Sequence, residues 1–162
     1  MDLIRITTQY VDIEDRIVLL GESLGGQREE FLLTQRLLIR MLPVLTVWLV
    51  KSEGMTAAQA LNSFKQGSAL TSLNNSPPVP HNLNAQRSLV QSVDISYGED
   101  QTRLRFRSNA QDGYVLTLSK DQLRQWLGIL YSAFVQADWP LASWPDWIKG
   151  EASPIQRHVY LH

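Results

Sequence analysis

The longest apolar-periodic run, FLLTQRLLIRMLPVLTVWLVK from Phe31 to Lys51, constrains the fold more than any other stretch. Leu37, Leu38, Met41, Leu42, Leu45, Trp48 and Leu49 recur at three- and four-residue spacing, the pattern of a helix with a wide apolar face. Thr34 suits the N-cap position, which leaves Phe31, Leu32 and Leu33 as the end of an incoming strand. Pro43 falls inside the run, removes one backbone hydrogen bond and is expected to bend or break the helix. The stretch Leu37 to Val50 is short and interrupted by Arg40 and Pro43, so it reads as a core helix and not a membrane span.

Around this helix the chain reads as short strands and one further long helix. Leu3 to Val11 alternates Ile4, Ile6, Thr8 and Tyr10 against Arg5, Thr7 and Gln9, the two-residue period of a strand with one wet face. Asp12 to Asp15 is a polar turn, and Arg16 to Leu20 returns as a second strand. Gly21, Gly25 and Gly26 punctuate a loop before the third strand. That loop has neither the Gly-Lys-Ser/Thr ending of a phosphate loop nor GxGxxG, and it reads as a hairpin turn. A shorter helix is expected from Ala57 to about Lys65, with Ala58, Leu61 and Phe64 along one side, making a helical pair with the first. A DNA-reading helix-turn-helix would offer basic and amide side chains to bases and phosphates. This helix carries only Gln59, Asn62, Lys65 and Gln66.

Residues 67–87, with Pro77, Pro78, Pro80, Asn74 and Asn75, form a mobile proline-, asparagine- and serine-rich connector in this reading. Three strands follow. Leu89 to Tyr97 and Tyr114 to Leu118 flank Thr102 to Arg107, where Leu104 and Phe106 face one way and Arg103, Arg105 and Arg107 the other. Ser119-Lys120-Asp121-Gln122 has the form of a capping box and opens the last helix. Leu123, Trp126, Leu127, Leu130, Phe134 and Ala137 line that helix, and Trp139-Pro140 closes it. The whole predicts a single α+β domain over residues 1–150, an antiparallel sheet or sandwich with an inserted helical pair, in the order β-β-β-α-α-β-β-β-α. Residues 151–162 are left as a C-terminal tail.

Composition narrows the chemistry. Of 162 residues 15 are Lys or Arg and 16 are Asp or Glu, for a net charge of −1, so no general field draws the chain to nucleic acid or anionic lipid. The absence of cysteine excludes disulfides, thiolate nucleophiles and cysteine-ligated metal sites. The opening MDLIRITTQY lacks the apolar segment of a signal peptide, and a cytoplasmic location is expected. His158 and His162 are four apart but lack an evident third ligand, and His81 sits in the connector, so no metal is expected. There is no Gly-x-Ser-x-Gly elbow, and the adjacent pairs Glu14/Asp15 and Glu29/Glu30 diverge along the chain instead of converging as an acid–base pair. No enzyme activity and no cofactor are expected.

Two features remain as candidate binding groups. Trp139, Trp144, Trp147 and Ile148 cluster with prolines near the C-terminus, and tryptophan is enriched at interface hot spots. These rings either engage a partner, which would be an unidentified protein or a second copy, or fold back over the last helix. Arg103, Arg105 and Arg107 form the clear basic row, able to lie along phosphates or an acidic partner. No aromatic residue alternates with them, and Asp94, Glu99 and Asp100 are near enough to neutralise them. The leading expectation is a non-catalytic interaction or assembly module, with nucleic-acid binding through the arginine row as the alternative.

The order of strands, helical pair, strands and final helix resembles the head domain of the end-joining scaffold that partners DNA ligase IV, and of its centriolar relatives. In that family the last helix continues into a dimerising coiled coil, whereas Pro140 ends it here. The segments Glu14-Asp15-Arg16, Leu33-Thr34-Gln35-Arg36-Leu37 and Ala137-Asp138-Trp139 also resemble a group of uncharacterised bacterial proteins. That resemblance implies no activity and transfers no functional residue.

Overall fold

The computed structural model describes residues 1–52, 59–73, 76–81, 87–109 and 113–149. The expected Ala57 and Ala58, part of the 67–87 connector, His158 and His162 lie outside them. The fold is α+β. Strands β1 (Asp2–Val11), β2 (Arg16–Ser23) and β3 (Arg28–Leu33) lead into helices α1 (Gln35–Ser52) and α2 (Gln59–Thr71). Strands β4 (Arg87–Leu89), β5 (Ser92–Tyr97), β6 (Gln101–Arg107) and β7 (Tyr114–Ser119) follow, and α3 (Lys120–Gln136) and the short α4 (Asp146–Lys149) close the chain.

The strands form one seven-stranded sheet in the order β4-β3-β2-β1-β7-β6-β5. Most neighbours are antiparallel, but β1–β7 and β3–β4 are parallel. Neither parallel contact has a local signature in the sequence, because each joins segments far apart in the chain. The sheet curls until β3 faces β6: Phe31 lies 6.1 Å from Phe106, ring centroid to centroid, and 4.7 Å from Tyr114. Its two edge strands, β4 and β5, are almost one run of chain. Val90 N–H bonds Leu32 O on one side, and Gln91 N–H bonds Arg107 O on the other.

A β-bulge corrects the expected alternation of β1. Leu3 pairs with Ser23 and Arg5 with Glu22, so Ile4 is the extra residue. The phase slips there, and Leu3 is buried while Ile4 points out. Thr8 stays on the core side because its Oγ1 accepts a 3.0 Å hydrogen bond from Trp126 Nε1.

The helix signals are realised in detail. Leu37 N–H bonds Thr34 Oγ1 at 3.1 Å, the N-cap expected for α1. Pro43 does not break α1, which runs unbroken to Ser52 with Leu38, Met41, Leu42, Leu45 and Leu49 buried. At α3, Gln122 N–H bonds Ser119 Oγ and Ser119 N–H bonds Gln122 Oε1, the complete capping box. The helix ends in a Schellman motif with Asp138 at φ 53°, where Trp139 N–H reaches Phe134 O and Asp138 N–H reaches Val135 O.

Two departures matter for function. Helix α2 extends to Thr71, so residues 67–71 are helical and not connector. The connector segment 76–81 is docked: Val79 is buried against Val18 and Leu20, and its N–H bonds Thr7 Oγ1 at 2.8 Å. Among the described residues no helix is long and apolar enough to cross a membrane.

Candidate functional site

The tryptophan cluster is part of the core. Trp139, Trp144, Trp147 and Ile148 are all buried. Trp144 sits edge-on to Tyr131 and Phe134, and Trp139 edge-on to Phe134 and Tyr10. Trp139 Nε1 donates to Asp15 Oδ1 at 2.8 Å, and Tyr10 Oη donates to the same oxygen at 3.0 Å. Burial, and then the Asp15 carboxylate beside it, raise the Tyr10 phenol pKa. The rings therefore tie the end of α3 to the first hairpin, and among the described residues all four side chains face the interior.

Trp147 has a further occupation. The Arg124 guanidinium stands 5.0 Å from its ring centroid, and Arg124 is fully buried on α3. Its Nη2 donates to Asn62 Oδ1 at 3.0 Å, and Gln66 Nε2 donates to Arg124 O at 2.9 Å. Gln125 Nε2 bonds Ala69 O at 3.0 Å. Helices α2 and α3 thus meet along a polar seam, because a buried cation must be met by oxygen acceptors.

That seam turns α2 inside out. It buries Asn62, Gln66 and Ala69, and leaves Leu61 43% and Phe64 70% exposed. The apolar side read from the sequence faces outward. Gly128 lies where the helices cross: a Cβ there would fall 2.6 Å from Leu70 Cδ2 and 3.3 Å from Gln66 Nε2, so the Leu70 side chain would have to shift.

The arginine row lies where expected, on the outer face of β6 opposite Ser92, Asp94 and Ser96 of β5. Arg107 Nε is 2.6 Å from Asp94 Oδ2, and Arg103 Nη2 is 3.8 Å from Asp2 Oδ1. Asp100 pairs instead with Lys120. Arg103, Arg105, Asp94 and Ser96 line a shallow depression of about 220 Å³. Of the row's three arginines, Arg103 and Arg107 already have carboxylate partners, which reduces what the row offers a phosphate.

A third cluster escaped the sequence reading. Glu30, nearly buried on β3, accepts from Arg87 Nε at 2.8 Å and lies 3.0 Å from His81 Nδ1. Arg87 also pairs with Glu14, and these hydrogen bonds, that to Glu30 foremost, raise its pKa. His81 Nε2 meets Gln9 Nε2 at 3.0 Å. The cluster clamps the connector over the outer face of β1–β3. Its members come from four separated segments, so no spacing rule finds it. Among the described residues no three His, Asp or Glu side chains converge as metal ligands.

Comparisons with family models, with curated proteins and with solved structures find no match to this chain.

Proposed function

We propose that the chain is a non-catalytic protein-interaction or assembly module acting in the cytoplasm. The observation that carries this reading is the inversion of α2. Burying a phenylalanine is worth about 1.5–3 kcal/mol, and folding forgoes most of that at Phe64. The helix is nevertheless held in place, because its polar side is committed to Arg124. A partner, or a second copy, that covers Leu61 and Phe64 recovers the apolar burial that the fold leaves unused.

A photo-crosslinking residue in place of Phe64, used in the native cell, tests this. We expect one dominant adduct, lost when Leu61 is replaced by Asp in the same chain. A strictly monomeric protein that gives no adduct at position 61 or 64 would contradict it.

The alternative, nucleic-acid binding through β6, draws support from the depression beside Arg103 and Arg105. It requires binding that weakens steeply with salt and is lost in R103A/R105A/R107A. Unchanged affinity in that variant would dispose of it.

A further inference from the structure

Among the described residues helix α1 presents a second uncovered face, opposite its core side. Arg36, Arg40, Val44, Val47 and Lys51 are all exposed and, at 100° per residue, fall on one narrow arc. The apolar centre is substantial: Val44 is 47% and Val47 48% exposed. Helix α1 contains no acidic residue, and among the described residues none of its three cations is in an ion pair. Two of the three arginines of β6 are different, since Arg103 and Arg107 each have a carboxylate.

The flank is rigid. Trp48 stacks on Tyr97 at 5.1 Å between centroids, and Tyr97 Oη donates to Val44 O at 3.2 Å. Burial raises the Tyr97 pKa. The result is a preorganised ridge, cationic at both ends and apolar between, about four helical turns from Arg36 to Lys51.

We propose that this ridge docks an acidic amphipathic helix of a protein partner, with valine-facing apolar residues at its centre and Asp or Glu toward both ends. Charge complementarity selects that occupant. A second copy packed through the same face would oppose Arg36 and Arg40 to Lys51 in one orientation and to themselves in the other. Both arrangements set like charges together. An anionic bilayer would gain three cations and two valines, one weak signal of a kind that gives only marginal anchoring. The inference extends the interaction reading to a surface separate from Phe64, and it can fail without that reading failing.

The test is a displayed library of helical peptides with a fixed apolar stripe and with Glu, Gln or Lys drawn freely at the end positions, selected on the full chain. We expect enrichment of Glu at both ends and binding that falls with added salt. Replacing Arg36, Arg40 and Lys51 by Gln should weaken the selected peptide about 3- to 100-fold, the worth of three exposed ion pairs. V47D should abolish binding with an unchanged circular dichroism spectrum. Phosphatidylserine vesicles and light scattering run in parallel. No enrichment, enrichment of Lys, preference for vesicles over every peptide, or self-association abolished by V47D would each overturn the proposal. Crosslinking from Phe64 would still decide the broader reading.

Discussion

The C-terminal tryptophans and helix α2 exchange the roles that their compositions suggest. Trp139, Trp144 and Trp147 have the makings of a contact surface, and all three are interior. Leu61 and Phe64 have the makings of a core stripe, and both face outward. One residue accounts for much of the exchange. Arg124 lies buried on α3 between the two regions, with Trp147 over its guanidinium and Asn62 at its nitrogens. With a cation in that place, α2 turns Asn62 inward to meet it and Gln66 inward to meet the Arg124 carbonyl, and its apolar side is turned out. Hydrophobic residues in a pattern show that a face will be covered; what lies across from it decides whether the chain covers it alone.

The largest effect expected from breaking this comparison is at the aromatic core. Trp144→Ala removes a ring packed on Tyr131 and Phe134 and should cost about 3–5 kcal/mol of stability in urea unfolding. Gly128→Ala sharpens the seam between α2 and α3. Its methyl group meets Leu70 and Gln66 at an overpacking cost of about 1–3 kcal/mol, offset by about 1 kcal/mol of helix propensity. A net loss of up to about 2 kcal/mol is expected, together with weaker protection of α2 amides in hydrogen exchange. Phe64→Asp should change stability by no more than about 0.5 kcal/mol, because the ring makes little use of the core. It should nevertheless remove the partner or the self-association.

The smallest effect concerns two tyrosines, Tyr10 beside Asp15 and Tyr97 beside Trp48. Tyr10 and Tyr97 both have raised pKa values in the folded chain. A raised value means that the stabilisation is complete below the unfolded pKa of about 10 and is lost as pH rises through the folded value. Stability should therefore fall on the alkaline side, and Tyr10→Phe should make that fall shallower in a series of unfolding curves. An alkaline slope unchanged by the substitution would separate Tyr10 from the effect.

What could be read from the sequence was local. Thr34 and the Ser119/Gln122 capping box mark helix starts because each acts over three residues. The arginine row of β6 and the pairing of Arg107 with Asp94 follow from a two-residue period and adjacent strands, whereas Asp2 as the partner of Arg103 does not. The rest was set by partners distant in the chain. β1 lies beside β7 across more than a hundred residues, and Val79 docks on Val18 and Leu20 from within a proline-rich connector. Glu30 gains His81 and Arg87 only when the sheet edge forms, and Arg124 looks in the sequence like one more helix-surface arginine. The exposed arc of α1 was present in the spacing of Arg36, Arg40, Val44, Val47 and Lys51, but the same run held a wider apolar face that drew the reading.

Hydroxyl-radical footprinting, read by mass spectrometry on the chain alone and in the complex it forms in its native cell, puts the exchange of roles to the most direct test. The account predicts that Trp144 and Trp147 are protected in both states, while Leu61 and Phe64 are labelled in the free chain and protected in the complex. Labelling of Trp144 and Trp147 in the free chain, with protection appearing there on assembly and not at Phe64, would contradict it.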